Sequence, residues 1–92
     1  MKRKIKRAGK FYVYILQCSN GAYYTGYTNN LEKRIKEHNN GDGAKCLRGK
    51  LPVRLVYAKG YRYYKLAVKE EYRIKGLRRY QKMQLVEDYE QR

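Results

Sequence analysis

Phe11-Tyr12-Val13-Tyr14-Ile15-Leu16, then Ser19-Asn20-Gly21, then Tyr23-Tyr24-Thr25-Gly26-Tyr27 is the stretch that decides the architecture. The first run is unbroken β-branched and aromatic sequence, which suits a central strand covered on both faces. The last run is its returning partner in a hairpin. The connection decides which phenols meet. A two-residue Asn20-Gly21 turn would put Tyr14 and Tyr24 on opposite faces. A three-residue loop with Gly21 left-handed puts Tyr14, Leu16 and Tyr24 on one face. We adopt the three-residue loop.

Downstream, Asn29 followed by Glu32 is a helix-start signature, and the helix runs to about Asn39 before Asn40-Gly41 stops it. Leu31, Arg34, Ile35 and His38 share one face at helical spacing, so Arg34 and His38 turn toward the sheet. Lys33 and Glu37 pair on the outer side. An inward Arg and His cost desolvation unless each finds a partner, which points to the edge of a site. Residues 41–50 form a Gly-rich basic loop without nucleotide P-loop spacing. It reads equally as a plain surface loop or as a flap that contacts phosphates through Lys45, Arg48 and Lys50.

Pro52 starts a third strand, Val53 to Ala58, which ends at Gly60. A second helix spans about Tyr63 to Lys75, with Tyr64, Ala67, Glu71 and Ile74 on one stripe. Glu71 thus lies on an otherwise apolar face, while Glu70 is placed to pair with Arg73 or to face water. Gly76 breaks that helix. A last one spans about Arg79 to Tyr89 with Met83 and Val86 inward, and Arg78, Arg79 and Lys82 add cations near its start. The expected fold class is α/β (α+β), a small three-stranded antiparallel sheet flanked by helices. One domain over residues 11–90 follows a basic arm over residues 1–10.

Bulk composition narrows the partners. The chain has 92 residues, and 23 Lys+Arg against 8 Asp+Glu give a net charge of +15. Such an excess repels itself unless a polyanion offsets it, so nucleic acid is the leading partner. No membrane partner is expected, because no apolar run approaches the length of a bilayer span. Tyrosine makes up much of the apolar content (12 Tyr, no Trp), so the core should have polar edges. Cys18 and Cys46 form no C-x-x-C pair and His38 is the single histidine, which argues against a structural zinc site. No apolar segment follows the basic start as in a signal peptide, so a reduced, cytoplasmic setting is expected.

The order Tyr12-Val13-Tyr14, Tyr24-Thr25-Gly26 and a helix carrying Asn30, Arg34 and His38 resembles the GIY-YIG nuclease superfamily. Arg34 lies eight residues after Gly26 and His38 four further on, as in that family. Residues 66–75 resemble its acidic helix, with Glu71 in the carboxylate position. Gly43-Ala44-Lys45 with Arg48-Gly49 resembles a loop of its small stand-alone bacterial members. Two features depart from the pattern. Tyr12 replaces the first glycine, and no asparagine follows Asn40, leaving Gln81 as a loose substitute.

The resemblance implies a GIY-YIG-like fold and a metal-dependent endonuclease that hydrolyses phosphodiester bonds in DNA. It implies catalytic roles for Tyr14, Tyr24, Arg34, His38 and Glu71, with one divalent cation, Mg²⁺ or Mn²⁺, held by Glu71. Arg34 would grip the scissile phosphate. Tyr14 is the first candidate for general base or water-positioning group, and His38 the alternative base. Lys45, Arg48, Lys50, Arg78, Arg79 and Lys82 would bind nucleic acid, DNA ahead of RNA. Structured or branched DNA, or a protein partner, would supply specificity. The rival reading is a non-catalytic nucleic-acid-binding protein on the same scaffold.

Overall fold

The computed structural model describes residues 10–91. Apart from Lys10, the arm expected over residues 1–10 lies outside the described residues. Three strands and three main helices follow in the order β1 (Phe11–Gln17), β2 (Tyr23–Thr28), α1 (Leu31–Asn39), β3 (Arg54–Tyr61), α2 (Tyr64–Lys75) and α3 (Arg79–Glu90), with a 3-10 turn at Lys45–Leu47 before β3. The sheet is antiparallel in the order β2-β1-β3, so the most apolar strand is central, as its sequence requires.

The hairpin adopts the three-residue loop. Cys18 N–H donates to Ala22 O at 2.8 Å, which leaves Ser19, Asn20 and Gly21 outside the ladder. Gly21 has φ +89°, open to glycine and strained for other residues. Leu16 therefore faces Tyr24 and Tyr14 faces Gly26, with all their side chains on one side.

Each sheet face carries its own core. Val13, Ile15, Val56, Ala67, Ile74 and Val86 pack on one side, where α2 lies over β1 and β2 and α3 lies over β3. Tyr14, Leu16, Cys18, Leu31, Leu47 and Val53 pack on the other, beneath α1 and the 3-10 turn. The β1–β3 register slips between Ile15, opposite Tyr57, and Leu16, opposite Leu55. The extra residue, Val56, makes a bulge that lets both Val56 and Tyr57 join the first core.

Four local expectations need correction. The cap of α1 is Asn30, whose Oδ1 accepts Lys33 N–H at 3.2 Å, and not Asn29. Thr28 takes up the Asn30 N–H at 3.1 Å and sets that boundary. Pro52 and Val53 precede β3. Val53 is instead held by Asn39, which donates to its carbonyl at 3.1 Å and accepts its N–H at 2.7 Å. Tyr63 caps α2 and does not belong to it. Met83 is 46% exposed, not inward. The inward stripe of α3 is Lys82, Leu85, Val86 and Tyr89, and Met83 stands about 100° round the helix from Lys82.

Candidate functional site

The site is built on the face of the sheet that α1 covers. Tyr14 projects from the middle of β1 and is 1% exposed. It can lie flat over β2 because its neighbour there is Gly26. A Cβ on Gly26 would stand 2.7 Å from Tyr14 Oη and 3.2 Å from Tyr24 Cε2. Tyr24 sits beside it, with ring centroids 6.4 Å apart. The His38 ring completes a triangle of aromatics, 6.1 Å from Tyr14 and edge-on to Tyr24 at 5.4 Å.

His38 is 2% exposed, and both its nitrogens have partners. Ala44 N–H donates to Nδ1 at 3.2 Å, and Nε2 lies 3.0 Å from Tyr14 Oη. A backbone N–H only donates, so Nδ1 is a bare acceptor and the ring proton is on Nε2. The imidazole is therefore neutral and donates to Tyr14. Burial holds its pKa below the ordinary value, Arg34 adds to that, and Glu37 opposes it more weakly. Gly43 makes the amide contact possible, because a side chain there would collide with the His38 ring.

Burial raises the Tyr14 phenol well above its usual pKa, and neighbouring Tyr24 adds to the rise. The Arg34 guanidinium opposes both, through its charge and by hydrogen bonding to the phenol, but burial wins and Tyr14 keeps its proton. Tyr24 is likewise raised, first by burial, with Lys75 and Arg34 opposing. Arg34 also donates to Glu37 Oε1 at 3.1 Å, and 41% of its side chain faces solvent. It stands beside the buried phenol with part of its surface open to an incoming anion.

Glu71 approaches from α2, on the opposite face. Its charge is felt at Tyr14, Tyr24 and Tyr27. The shared ground is the free edge of β2, where Gly26 leaves the strand bare. Glu71 is paired with Lys75 at 3.1 Å. Glu70 instead pairs with Arg73 through both oxygens, at 2.9 and 2.6 Å. The structure thus brings Tyr14, Tyr24 and His38 into contact with Arg34 beside them, while Glu71 stands across the sheet and reaches the phenols through its charge.

The donor set bears on the metal. Among the described residues no group of three or more His, Cys, Asp or Glu side chains gathers, which does not suit a zinc cage. A single carboxylate fits a hard cation of the Mg²⁺ or Mn²⁺ kind, which keeps most of its waters and needs only one or two carboxylates. Glu71 is the residue that would hold it.

The six expected nucleic-acid contacts divide. Lys45, Arg48 and Arg78 are exposed, and Lys50 and Lys82 are half-buried. Lys45 follows Ala44 directly, so the basic loop borders the phenol pocket. Arg79 is engaged within the fold: its guanidinium stacks on the Tyr23 ring at 4.7 Å and donates to Gly21 O at 3.1 Å. Gln81 caps α3, accepting Arg78 N–H at 2.8 Å. Sequence reasoning singled out Gly43 and Ala44 as part of a loop but missed their contact with His38, and it missed Lys75 altogether. A backbone amide has no side-chain signature, and a lysine in the last turn of a helix reads as an ordinary partner for the dipole.

The chain is similar to known proteins over most of its length. Residues 10–84 match the GIY-YIG catalytic domain model. A UPF0213 protein of Clostridium perfringens is 57% identical over 75 residues, covering 82% of this chain and 81% of the relative. One from Oceanobacillus iheyensis is 50% identical over 80 residues, 87% and 93% of the two chains. The solution structure of a UPF0213 protein from Bacillus halodurans superposes with TM-score 0.56 at 47% identity, covering 84% of this chain and 82% of that one. That of an E. faecalis protein superposes with TM-score 0.61 at 33% identity, covering 95% and 91%. By the matched residues, the hairpin and the α1 spacing, the chain belongs to the GIY-YIG catalytic domain family.

Proposed function

We propose that the chain is an endonuclease that hydrolyses phosphodiester bonds in DNA, aided by one divalent cation on Glu71. The observation that carries this is the buried Tyr14 phenol, which receives the His38 Nε2–H and lies beside Arg34 and within the field of Glu71. The family supplies the nuclease class. The net charge of +15 supplies the attraction to a polyanion.

Arg34 is the phosphate grip, since its planar fork matches two phosphate oxygens. Its ion pair with Glu37 is half-exposed and weak enough to exchange for a phosphate. Tyr14 aligns the attacking water and, in its minor phenolate form, accepts the water's proton. His38 serves Tyr14 by donation: with Nδ1 filled by Ala44, it has no free lone pair and does not act as the base itself. Its Nε2–H and Arg34 both stabilise negative charge on Tyr14 Oη. Tyr24, protonated by virtue of burial, donates toward a phosphate oxygen. The cation, when bound, would polarise the phosphoryl group and neutralise charge developing on it.

The chain also supports a second reading, binding without cleavage. No asparagine follows Asn40, and Gln81 is occupied as a helix cap. One experiment separates the two. Supercoiled plasmid is incubated with Mg²⁺ or Mn²⁺ and the wild type, Glu71→Gln or Arg34→Ala. Nicking by the wild type and its loss in both variants supports the enzyme. No nicking with either ion, or equal nicking by all three proteins, overturns it.

A further inference from the structure

Lys75 is absent from the constellation that the sequence suggests, yet it holds the central carboxylate. Its Nζ lies 3.1 Å from Glu71 Oε2, four residues on and in the favourable Glu-before-Lys order. Its charge is also felt at Tyr24, where it lowers the phenol's pKa more than Arg34 does. The ammonium therefore occupies the carboxylate oxygen that a hard cation would need. The two ends of the pair differ in freedom. The Glu71 side chain is 17% exposed, whereas that of Lys75 is 56% exposed on a four-carbon stem. A divalent ion and an ammonium on one carboxylate repel strongly in such a setting. One must leave, and only Lys75 has solvent to move into.

Resting on the nuclease reading above, we propose that Lys75 is the resident counter-ion of Glu71 and couples metal loading to nucleic acid. In the free protein it competes with the cation and keeps affinity low. A bound phosphodiester gives the displaced ammonium a new anion, so nucleic acid tightens metal binding. By linkage, metal tightens nucleic-acid binding by the same factor. Lys75 is on this account a positioning residue, acting through Glu71.

The test reads binding, not turnover. Mn²⁺ affinity is measured by calorimetry for the full chain, with and without a phosphorothioate oligonucleotide. The proteins are the wild type, Lys75→Met, Lys75→Arg and Glu71→Gln. Lys75→Met should bind Mn²⁺ about tenfold more tightly than wild type in the absence of oligonucleotide, and should lose most of the tightening that the oligonucleotide gives. Lys75→Arg keeps the charge and should behave as wild type. If Lys75→Met changes free-protein affinity less than twofold while Glu71→Gln abolishes binding, the counter-ion role is overturned and the metal site stands. If Glu71→Gln binds Mn²⁺ as well as wild type does, the metal reading itself falls, and the proposal falls with it.

Discussion

Gly43 lies so close to His38 that a Cβ there would overlap Nδ1 and stand 2.9 Å from Cε1. The bare glycine lets the next amide, Ala44 N–H, reach Nδ1, and that bond sets the ring's tautomer. Gly43→Ala should push the loop off the imidazole. Plasmid nicking should fall about tenfold or more, and the His38 pKa followed by NMR should rise. An unchanged imidazole titration would show that the amide does not set the tautomer.

Burial of the same imidazole makes folding pH-dependent. The pKa of His38 is lowered in the folded protein from the ordinary 6.5, because burial and Arg34 disfavour the cation, while Glu37 opposes more weakly and the other neighbours, Tyr14 and Tyr24, are uncharged. Its contribution to stability is thus fully present above 6.5 and is lost as pH falls toward the lowered folded value. Urea unfolding should show stability declining below about pH 6.5, with His38→Gln reducing that decline. A wild-type profile flat down to pH 5 would contradict the buried neutral imidazole.

Tyr14 keeps its proton at neutrality, so the phenolate is a minor species that grows tenfold per pH unit. The logarithm of the nicking rate should rise with a slope near one between about pH 7 and 9. Tyr14→Phe should lower the rate about a hundredfold or more. A rate that levels off near the imidazole pKa would assign the proton acceptor to another group.

Thr25 is 4% exposed, and its hydroxyl is the one buried side-chain polar atom without a partner among the described residues. It sits on the α2 side of β2, opposite Ile15. Thr25→Val replaces an unpaired hydroxyl with a methyl of similar size and should stabilise the protein by about 1 kcal/mol. Thermal melting checks this, and a drop in melting temperature would mean that the hydroxyl is satisfied.

The basic residues should separate by assay. Lys45→Ala and Arg48→Ala should each lower the slope of log affinity for DNA against log salt by about 1, with stability unchanged. Arg79→Ala should instead cost about 1 kcal/mol of stability, through lost stacking on Tyr23 and the lost bond to Gly21. An unaltered salt slope in the loop variants would remove the flap from the DNA surface.

Much of the fold was legible because period and turn chemistry agree. The apolar run of β1, the parity of the Ser19-Asn20-Gly21 loop and the stripe of α1 all point to the observed sheet and its phenol-bearing face. The gathering of Arg34 and His38 under α1 followed from the same spacing. Where several candidates compete locally, the reading slipped. Asn29 and Asn30 both suit a cap, and Thr28 decides between them only through a contact in space. Met83 and Leu85 are equally apolar in one dimension, and the angle at which α3 meets β3 chooses Leu85. The Val56 bulge and the Asn39 bracket on Val53 depend on pairings between distant segments. The roles of Ala44 and Lys75 were hidden for a similar reason: each acts on a residue whose position is known only after folding.

The loop of three residues between β1 and β2 has a consequence for how this protein tolerates change. Surface turns commonly accept an inserted or deleted residue at small cost. Here a single insertion that slipped the pairing while keeping the loop would carry Tyr24 to the far side and set Thr25 opposite Tyr14, where the bare Gly26 now lies. The aromatic triangle would lose one corner although every catalytic candidate remained in the chain. Hairpin length is thus as strict a requirement on the pocket as any of its side chains.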